Sequence, residues 1–311
     1  MTPASAIPFT GNPLHRASDK RTDAAWLAAT RDDPRARFVL MWKSQPIMAG
    51  AEGTKSAKLF CVNGKTAATL GADGAQEIFL GVDSQGIAYF ARDVSAVPEP
   101  VGANLPGLAH PRDGRAAAAA LPFEEVAIMG QAKALLDWHE RHQFCAKCGA
   151  PTKSAEGGYK RVCGTCEAEH FPRTDPAVIM LATHGDACLL AHNKRFPPNR
   201  YSTLAGFVEP GESFEEAVRR EIFEEVNLRV GSVRYFATQP WPFPAAVMIG
   251  CYAEALSRDA KPDGVEIEDA RWFDRATVLR LLAGEKMEGV EIPQRQAIAH
   301  HLIRNWAEGK V

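Results

Sequence analysis

Two pairs of cysteines, Cys145/Cys148 and Cys163/Cys166, each enclose two residues, and fourteen residues separate the pairs. Two intervening residues let both thiolates of one turn face a single ion. Two such turns complete a tetrahedral four-sulfur shell, the closed geometry of structural zinc. Gly149 and Gly164 are expected to help the backbone bend around the metal. A filled sulfur shell leaves no open position for substrate, so one Zn2+ here has a folding role. Reduced thiols or a redox pair are the other reading of the same residues. Ribbons of this kind also occur in nucleic-acid-binding proteins. Residues 140–175, however, carry six Lys/Arg against five Asp/Glu, which does not favour a phosphate-binding surface. The other cysteines, Cys61, Cys188 and Cys251, sit alone in apolar stretches and read as buried small hydrophobes.

A second constellation is acidic. Ser213 followed by Glu216 is a capping box, which places a helix start near Phe214. Val218, Ile222 and Val226 recur every four residues and form a stripe to be buried. Glu221 and Glu225 share the same spacing on a stripe about 100° away, with Glu224 beside them. Like charges so placed cost a few tenths of a kcal/mol per pair in an isolated helix. Hard oxygen ligands on one face suit Mg2+ or Mn2+, which in turn hold phosphate oxygens. A solvated acidic face is the plainer alternative.

Taken whole, Gly206 to Leu228 reads G-x5-E-x7-R-E-U-x-E-E-x-N-U, with U aliphatic. This resembles the Nudix box, with Asn227 in place of the usual final glycine. Asparagine tolerates a left-handed backbone better than most residues. The resemblance implies an α/β (α+β) fold, a mixed sheet flanked by helices, and hydrolysis of a nucleoside diphosphate linked to another group. It further implies two or three catalytic Mg2+ or Mn2+ ions. Glu221 and Glu225 are the principal ligands, and Glu224 is a further ligand or water-orienting group. The carbonyl of Ala205 supplies another oxygen, and Glu266 completes the set, although Glu266 also reads as one charge in an acidic loop. Arg220 joins the catalytic set by orienting carboxylates rather than by touching substrate.

Downstream runs Thr238-Gln239-Pro240-Trp241-Pro242-Phe243-Pro244-Ala245-Ala246. Its prolines stiffen the backbone, and its aromatic rings are flat enough to stack on a base, or to pack in a core. The stretch is similar to the S-Q-P-W-P-F-P signature of the NADH pyrophosphatases, with Thr238 for serine and with small Ala245 and Ala246 where a polar pair is usual. That resemblance implies substrate contacts from Gln239, Pro240, Trp241, Pro242, Phe243, Pro244, Ala245 and Ala246, together with Phe171, Phe207 and Ala299. It implies cleavage of NADH or NAD+ to AMP and reduced or oxidised nicotinamide mononucleotide, permits removal of NAD caps from RNA, and brings the expectation of a homodimer. A broader hydrolase acting on ADP-ribose or diadenosine compounds stays open. So does a non-catalytic RNA binder on the same fold, against which the intact acids argue.

These residues need elements to hold them. A chain of 311 residues makes about two domains at roughly 100–200 residues each, with room for an insert. Residues 1–140 read as a strand-rich, Nudix-like domain ending in a connecting helix, 141–171 as the zinc ribbon, and 172–311 as the catalytic domain. Strands are predicted over 37–42, 58–62, 77–82, 87–91, 177–183, 187–191, 203–208, 232–238 and 247–255. Turn residues over 81–86 suggest a hairpin, and the Pro- and Gly-rich stretch over 97–111 reads as a loop. Helices are predicted over 123–144, after Gly211, and over 293–307, where Pro293 sits in the first turn. Hydrophobic residues make up 46% and charged residues 24%, as in ordinary globular proteins, which excludes long disorder and rod-like folds. A net charge of −2 excludes a global electrostatic footprint for nucleic acid or an anionic membrane. No apolar run approaches the roughly 18–20 residues of a membrane span, and the N-terminus lacks a secretory pattern, so a cytoplasmic location is expected.

Overall fold

The computed structural model describes residues 7–50, 57–70, 74–97 and 109–311. Two compact units emerge. One comprises Pro8–Thr174 together with Trp241–Ala245; the other comprises Ile7, Asp175–Pro240 and Ala246–Val311. Among the described residues, no helix is long and apolar enough to cross a membrane.

In the first unit, helix α1 (Ala24–Asp32) precedes strands β1 (Arg37–Trp42), β2 (Gln45–Ala49), β3 (Lys58–Leu59) and β4 (Cys61–Val62), then helix α2 (Gly64–Thr69). Strands β5 (Glu77–Val82), β6 (Ala88–Asp93) and β7 (His110–Pro111) follow, with helices α3 (Gly114–Ala120) and α4 (Phe123–Arg141). The path of the sheet is β3-β2-β1-β6-β5, with β4 on β1 and β7 on β2. The predicted hairpin is β5–β6, paired antiparallel with an irregularity between Phe79 and Gly81. The strand predicted over 58–62 is divided: β3 pairs with β2 and β4 with β1, and between them the Phe60 N–H bonds to the Ile47 carbonyl. Most of the loop predicted over 97–111 lies outside the described residues.

The ribbon continues this unit as β8 (Thr152–Ala155), β9 (Lys160–Cys163) and β10 (Glu169–His170), an antiparallel sheet in the order β10-β9-β8. It is seated by polar contacts that leave little freedom. Buried Arg161 donates to the Thr152 hydroxyl at 2.7 Å and carbonyl at 2.8 Å, and to His139 Nδ1 at 2.8 Å. That leaves His139 Nε2–H to donate to the Gly158 carbonyl at 2.8 Å. Burial holds the His139 imidazole down at about 4, so the ring stays neutral and can accept from Arg161.

The second unit contains β11 (Asp175–His184), β12 (Ala187–Asn193), β13 (Leu204–Phe207), helix α5 (Phe214–Val226), β14 (Val230–Trp241), β15 (Ala246–Ala255), β16 (Ile267–Asp274), α6 (Arg275–Leu282) and α7 (Ile298–Ala307). Its sheet runs β14-β15-β11-β12-β16, with β13 on β11. The β11–β15 pair is parallel, whereas β12 and β13 pair antiparallel with β11, which makes the sheet mixed. Ala217, Val218, Ile222 and Val226 of α5 are buried in one apolar cluster with Val178, Met180, Leu204 and Ile249. The stripe predicted from four-residue spacing is therefore the face that docks this helix on the sheet. The last helix starts later than predicted, at Ile298 rather than Pro293. Residues 293–297 are held by turns and tertiary bonds instead: His300 Nδ1 donates to the Pro293 carbonyl at 2.9 Å, and the Ile298 N–H donates to Gln239 Oε1 at 2.8 Å.

Candidate active site

Helix α5 begins as its sequence demands. The Ser213 Oγ accepts from the Glu216 N–H, and the Glu216 carboxylate accepts from the Ser213 N–H at 2.7 Å. It ends at Asn227 with φ 53°, the left-handed conformation in which asparagine replaces a glycine at low cost.

Arg220 organises the acids around it. Its Nε and Nη2 grip both oxygens of Glu212, at 2.6 and 2.9 Å. Its Nη1 donates to Glu221 Oε1 at 2.9 Å and Glu224 Oε2 at 3.0 Å, and Nη2 also reaches the Phe207 carbonyl at 2.9 Å. One guanidinium thus joins the end of β13, the loop before α5 and two carboxylates on the helix. Hydrogen bonds from Arg220, then from the Glu209 N–H, hold the Glu212 carboxyl down at about 2. Glu212 is the glutamate of the G-x5-E motif, which by itself gives it no role. Its signal was the fixed spacing to Arg220, which only the folded loop turns into a contact.

Glu225 stands apart from this network. It is 7% exposed, and its Oε2 is buried with no hydrogen-bond partner. Burial, then the charges of Glu221, Glu266, Asp263 and Glu224, push its carboxyl up to about 8. Burial also raises Glu221. A buried acid that lacks a donor and is surrounded by acids is costly unless a cation joins it. The donor set is all hard oxygen, which fits Mg2+ or Mn2+. Glu266 lies on an exposed turn, where the Asp263 carboxylate accepts from the Val265, Glu266 and Ile267 N–H groups. Asp263 therefore positions Glu266, and nothing in the sequence motif marks it.

Gly206 sits in strand β13, following Ala205. A Cβ built on it lies 1.9 to 2.2 Å from the Glu221 carboxyl atoms, so that carboxylate rests directly on bare backbone. The obstruction is the end of a flexible side chain, not backbone. Gly206→Ala is therefore expected to fold with an unchanged melting temperature while displacing Glu221. Turnover should fall on the order of 10²-fold, the scale of misplacing a reacting group by about 1 Å. Full activity in that variant, measured beside circular dichroism, would remove Glu221 from the site.

The four cysteines form the other centre. Their sulfur atoms all lie within 4.8 Å of one another, and among the described residues they are the one group of thiol, imidazole or carboxylate donors gathered that tightly. Four converging sulfurs fit Zn2+. Each turn donates a backbone N–H to its first sulfur, Lys147 to Cys145 and Thr165 to Cys163, both at 3.4 Å. His170 Nε2 lies 3.3 Å from Cys145 Sγ. Gly149 takes φ 76°, as its turn requires, but the matching position in the second turn is Glu167, at φ 58°, and not Gly164. Of the remaining cysteines, Cys188 and Cys251 are buried and Cys61 partly so.

The expected substrate residues divide. Phe207 and Phe171 are 62% and 60% exposed and free to meet a ligand. Gln239 is 0% exposed; its amide donates to the Gln296 carbonyl and accepts from Ile298 N–H, which fixes the start of α7. The buried Gln239 amide thus positions the start of α7. Pro240 is exposed at the end of the same strand, and Ala299 is buried in the apolar cluster beneath α7. Trp241 and Phe243 pack edge-on against Phe9, at 5.8 and 5.9 Å between centroids, and against each other at 5.1 Å. The Lys133 ammonium stands 5.6 Å from the centre of the Phe243 ring, and the Arg115 guanidinium 5.1 Å. Their large faces serve the apolar cluster of the first unit. Pro242 is buried, Pro244 exposed, and Ala245 and Ala246 half-buried.

Comparison with known proteins gives three contiguous matches: a NADH pyrophosphatase-like rudimentary NUDIX domain over residues 35–138, an NADH pyrophosphatase zinc ribbon domain over 140–171, and a NUDIX domain over 172–291. The NAD-capped RNA hydrolase NUDT12 of Macaca fascicularis is 37% identical over 96% of this chain and 72% of its own length. The NAD-capped RNA hydrolase NudC of Stutzerimonas stutzeri is 42% identical over 57% of this chain and 60% of its own. The mitochondrial NAD(P)H pyrophosphatase NUDT13 of Mus musculus is also 42% identical, over 58% of this chain and 54% of its own. A sheet-docked acidic helix, a four-sulfur ribbon and three matching domain models in series lead to one conclusion: the chain belongs to the Nudix hydrolase family, in the group that carries the NADH pyrophosphatase zinc ribbon.

Proposed function

We propose that the protein hydrolyses the pyrophosphate bond of NADH or NAD+, yielding AMP and the reduced or oxidised nicotinamide mononucleotide, and that it removes the same group from NAD-capped RNA. The observation that carries this reading is the buried, unpartnered Glu225 oxygen set among other acids. In this reading Glu221 and Glu225 hold two or three Mg2+ or Mn2+ ions, with Glu224, Glu266 and the Ala205 carbonyl completing the ligands. Such ions, when bound, neutralise the pyrophosphate and activate water for attack at phosphorus. Arg220 keeps Glu221 and Glu224 aimed, and Glu212 keeps Arg220 aimed. The exposed rings of Phe207 and Phe171 offer stacking faces to the base or the nicotinamide. Zn2+ on the four cysteines holds the ribbon together. The domains run over 1–140, 141–171 and 172–311, with catalysis in the last, and the protein acts as a homodimer in the cytoplasm.

The names of the macaque, Stutzerimonas and mouse relatives support both substrates. The test is chromatography of NADH incubated with the protein and Mg2+ or Mn2+. AMP and reduced mononucleotide should appear in equal amounts. A higher kcat/KM for ADP-ribose than for NADH would replace this reading with the broader hydrolase.

A further inference from the structure

The turn between β12 and the bridge residue Ser202 is neither explained by the fold nor used by the mechanism. It reads Lys194-Arg195-Phe196-Pro197-Pro198-Asn199-Arg200. It springs from the same register as the acidic turn, because Asn193 pairs with Ile267 across β12 and β16. The Lys194 N–H then donates to the Glu266 carbonyl at 3.0 Å, and Lys194 Nζ to the Gly264 carbonyl at 2.5 Å. The turn is thereby pinned to the segment that carries Glu266.

It is also stiff. The Arg195 and Phe196 N–H groups donate to the Asn193 side chain and carbonyl, each at 2.9 Å. The Arg200 N–H closes on the Pro197 carbonyl at 3.2 Å, and His192 Nδ1 donates to the Arg200 carbonyl at 2.9 Å. What this anchored turn presents is an exposed Arg195, whose guanidinium has no partner among the described residues, and the Phe196 ring, 37% exposed. At its base, Arg200 Nε is buried without a partner, an orphan that an anion would satisfy.

An exposed flat ring and an unpartnered cation on successive residues are the groups by which single-stranded nucleic acid is held, one stacking on a base and the other meeting a phosphate. A free dinucleotide ends at its adenosine. A capped RNA continues from that adenosine through a 3′ phosphodiester. We infer that the 194–200 turn receives the first nucleotide beyond the cap, with Phe196 under its base and Arg195 at the phosphodiester, so that it favours capped RNA over free NAD(H). This rests on the proposed activity and adds the residues that choose between its two substrates. It also suits a chain of net charge −2, because a short, built contact needs no global charge.

The test measures kcat/KM for NADH and for a 5′-NAD-capped oligoribonucleotide in the full chain, as wild type, Phe196→Ala, Arg195→Ala and Arg195→Lys. The alanine variants should lose about tenfold on capped RNA, the scale of one stacked base, and stay within about twofold on NADH. The salt dependence of RNA turnover should flatten by about 0.7 in log–log slope for Arg195→Ala, one phosphate contact on a single strand, with lysine restoring it. Equal losses on both substrates, or none on RNA, overturn the inference while the hydrolase reading stands. A wild type that cleaves neither substrate overturns the hydrolase reading and this inference with it.

Discussion

Glu225→Gln is expected to abolish most NADH turnover while leaving a folded, and in metal-free buffer a more stable, protein. Both halves follow from the same oxygen. Glu225 is buried, its Oε2 has no donor, and burial with neighbouring acids lifts its carboxyl to about 8. Near neutral pH without metal, a carboxyl at about 8 is kept protonated at a cost to stability that a neutral amide removes, so the apparent melting temperature without divalent ions should rise or hold. It also removes a hard anionic ligand, and metal-dependent stabilisation of a developing phosphoryl charge is worth several kcal/mol, about 10³-fold or more in kcat. Manganese titration calorimetry should show weakened or absent uptake. Wild-type turnover in Glu225→Gln would take Glu225 out of the mechanism, and a collapsed melting transition would show that its carboxylate is structural.

The second large effect is expected from removing zinc, by a strong chelator or by Cys163→Ser. Structural zinc contributes on the order of 10 kcal/mol in small ribbons. Here the consequences should spread beyond the ribbon, because its hairpin is part of the first unit's packing. Gln131 donates to the Tyr159 hydroxyl at 2.5 Å, the Arg21 guanidinium lies 3.4 Å from the centre of the Tyr159 ring, and Arg161 bonds to His139 of α4. Zinc-free protein should therefore unfold at a lower temperature and be cut by trypsin within 140–175, with metal content falling from one zinc per chain to none. A zinc-free chain with an unchanged melting curve would return the cysteines to the reading of reduced thiols.

Much of the site was legible before folding, and the boundary is instructive. The capping box, the buried stripe and the left-handed Asn227 all depend on neighbours within one or two helical turns, so spacing sufficed. Helix α4 and the hairpin at 81–86 were legible for the same reason. The last helix was placed too early because Pro293 is a good first-turn residue by local rules, while the bond from Gln239 to Ile298 N–H comes from 59 positions away. Strands β2 and β16 carry no clear strand pattern: β2 is five residues with Pro46 inside it, β16 is rich in charged residues, and each takes its place by pairing with a partner strand.

The identities and intervals of the candidate ligands were thus set by the order of residues alone, since two-residue cysteine turns and four-residue helical steps are geometry the backbone carries with it. Which oxygen lacks a partner, which acid grips Arg220, and whether an aromatic ring faces solvent or packs against Phe9 were decided only in three dimensions. Burial and long-range hydrogen bonds exist only once distant segments have met, and those are what separate Glu225 from the other glutamates of its helix.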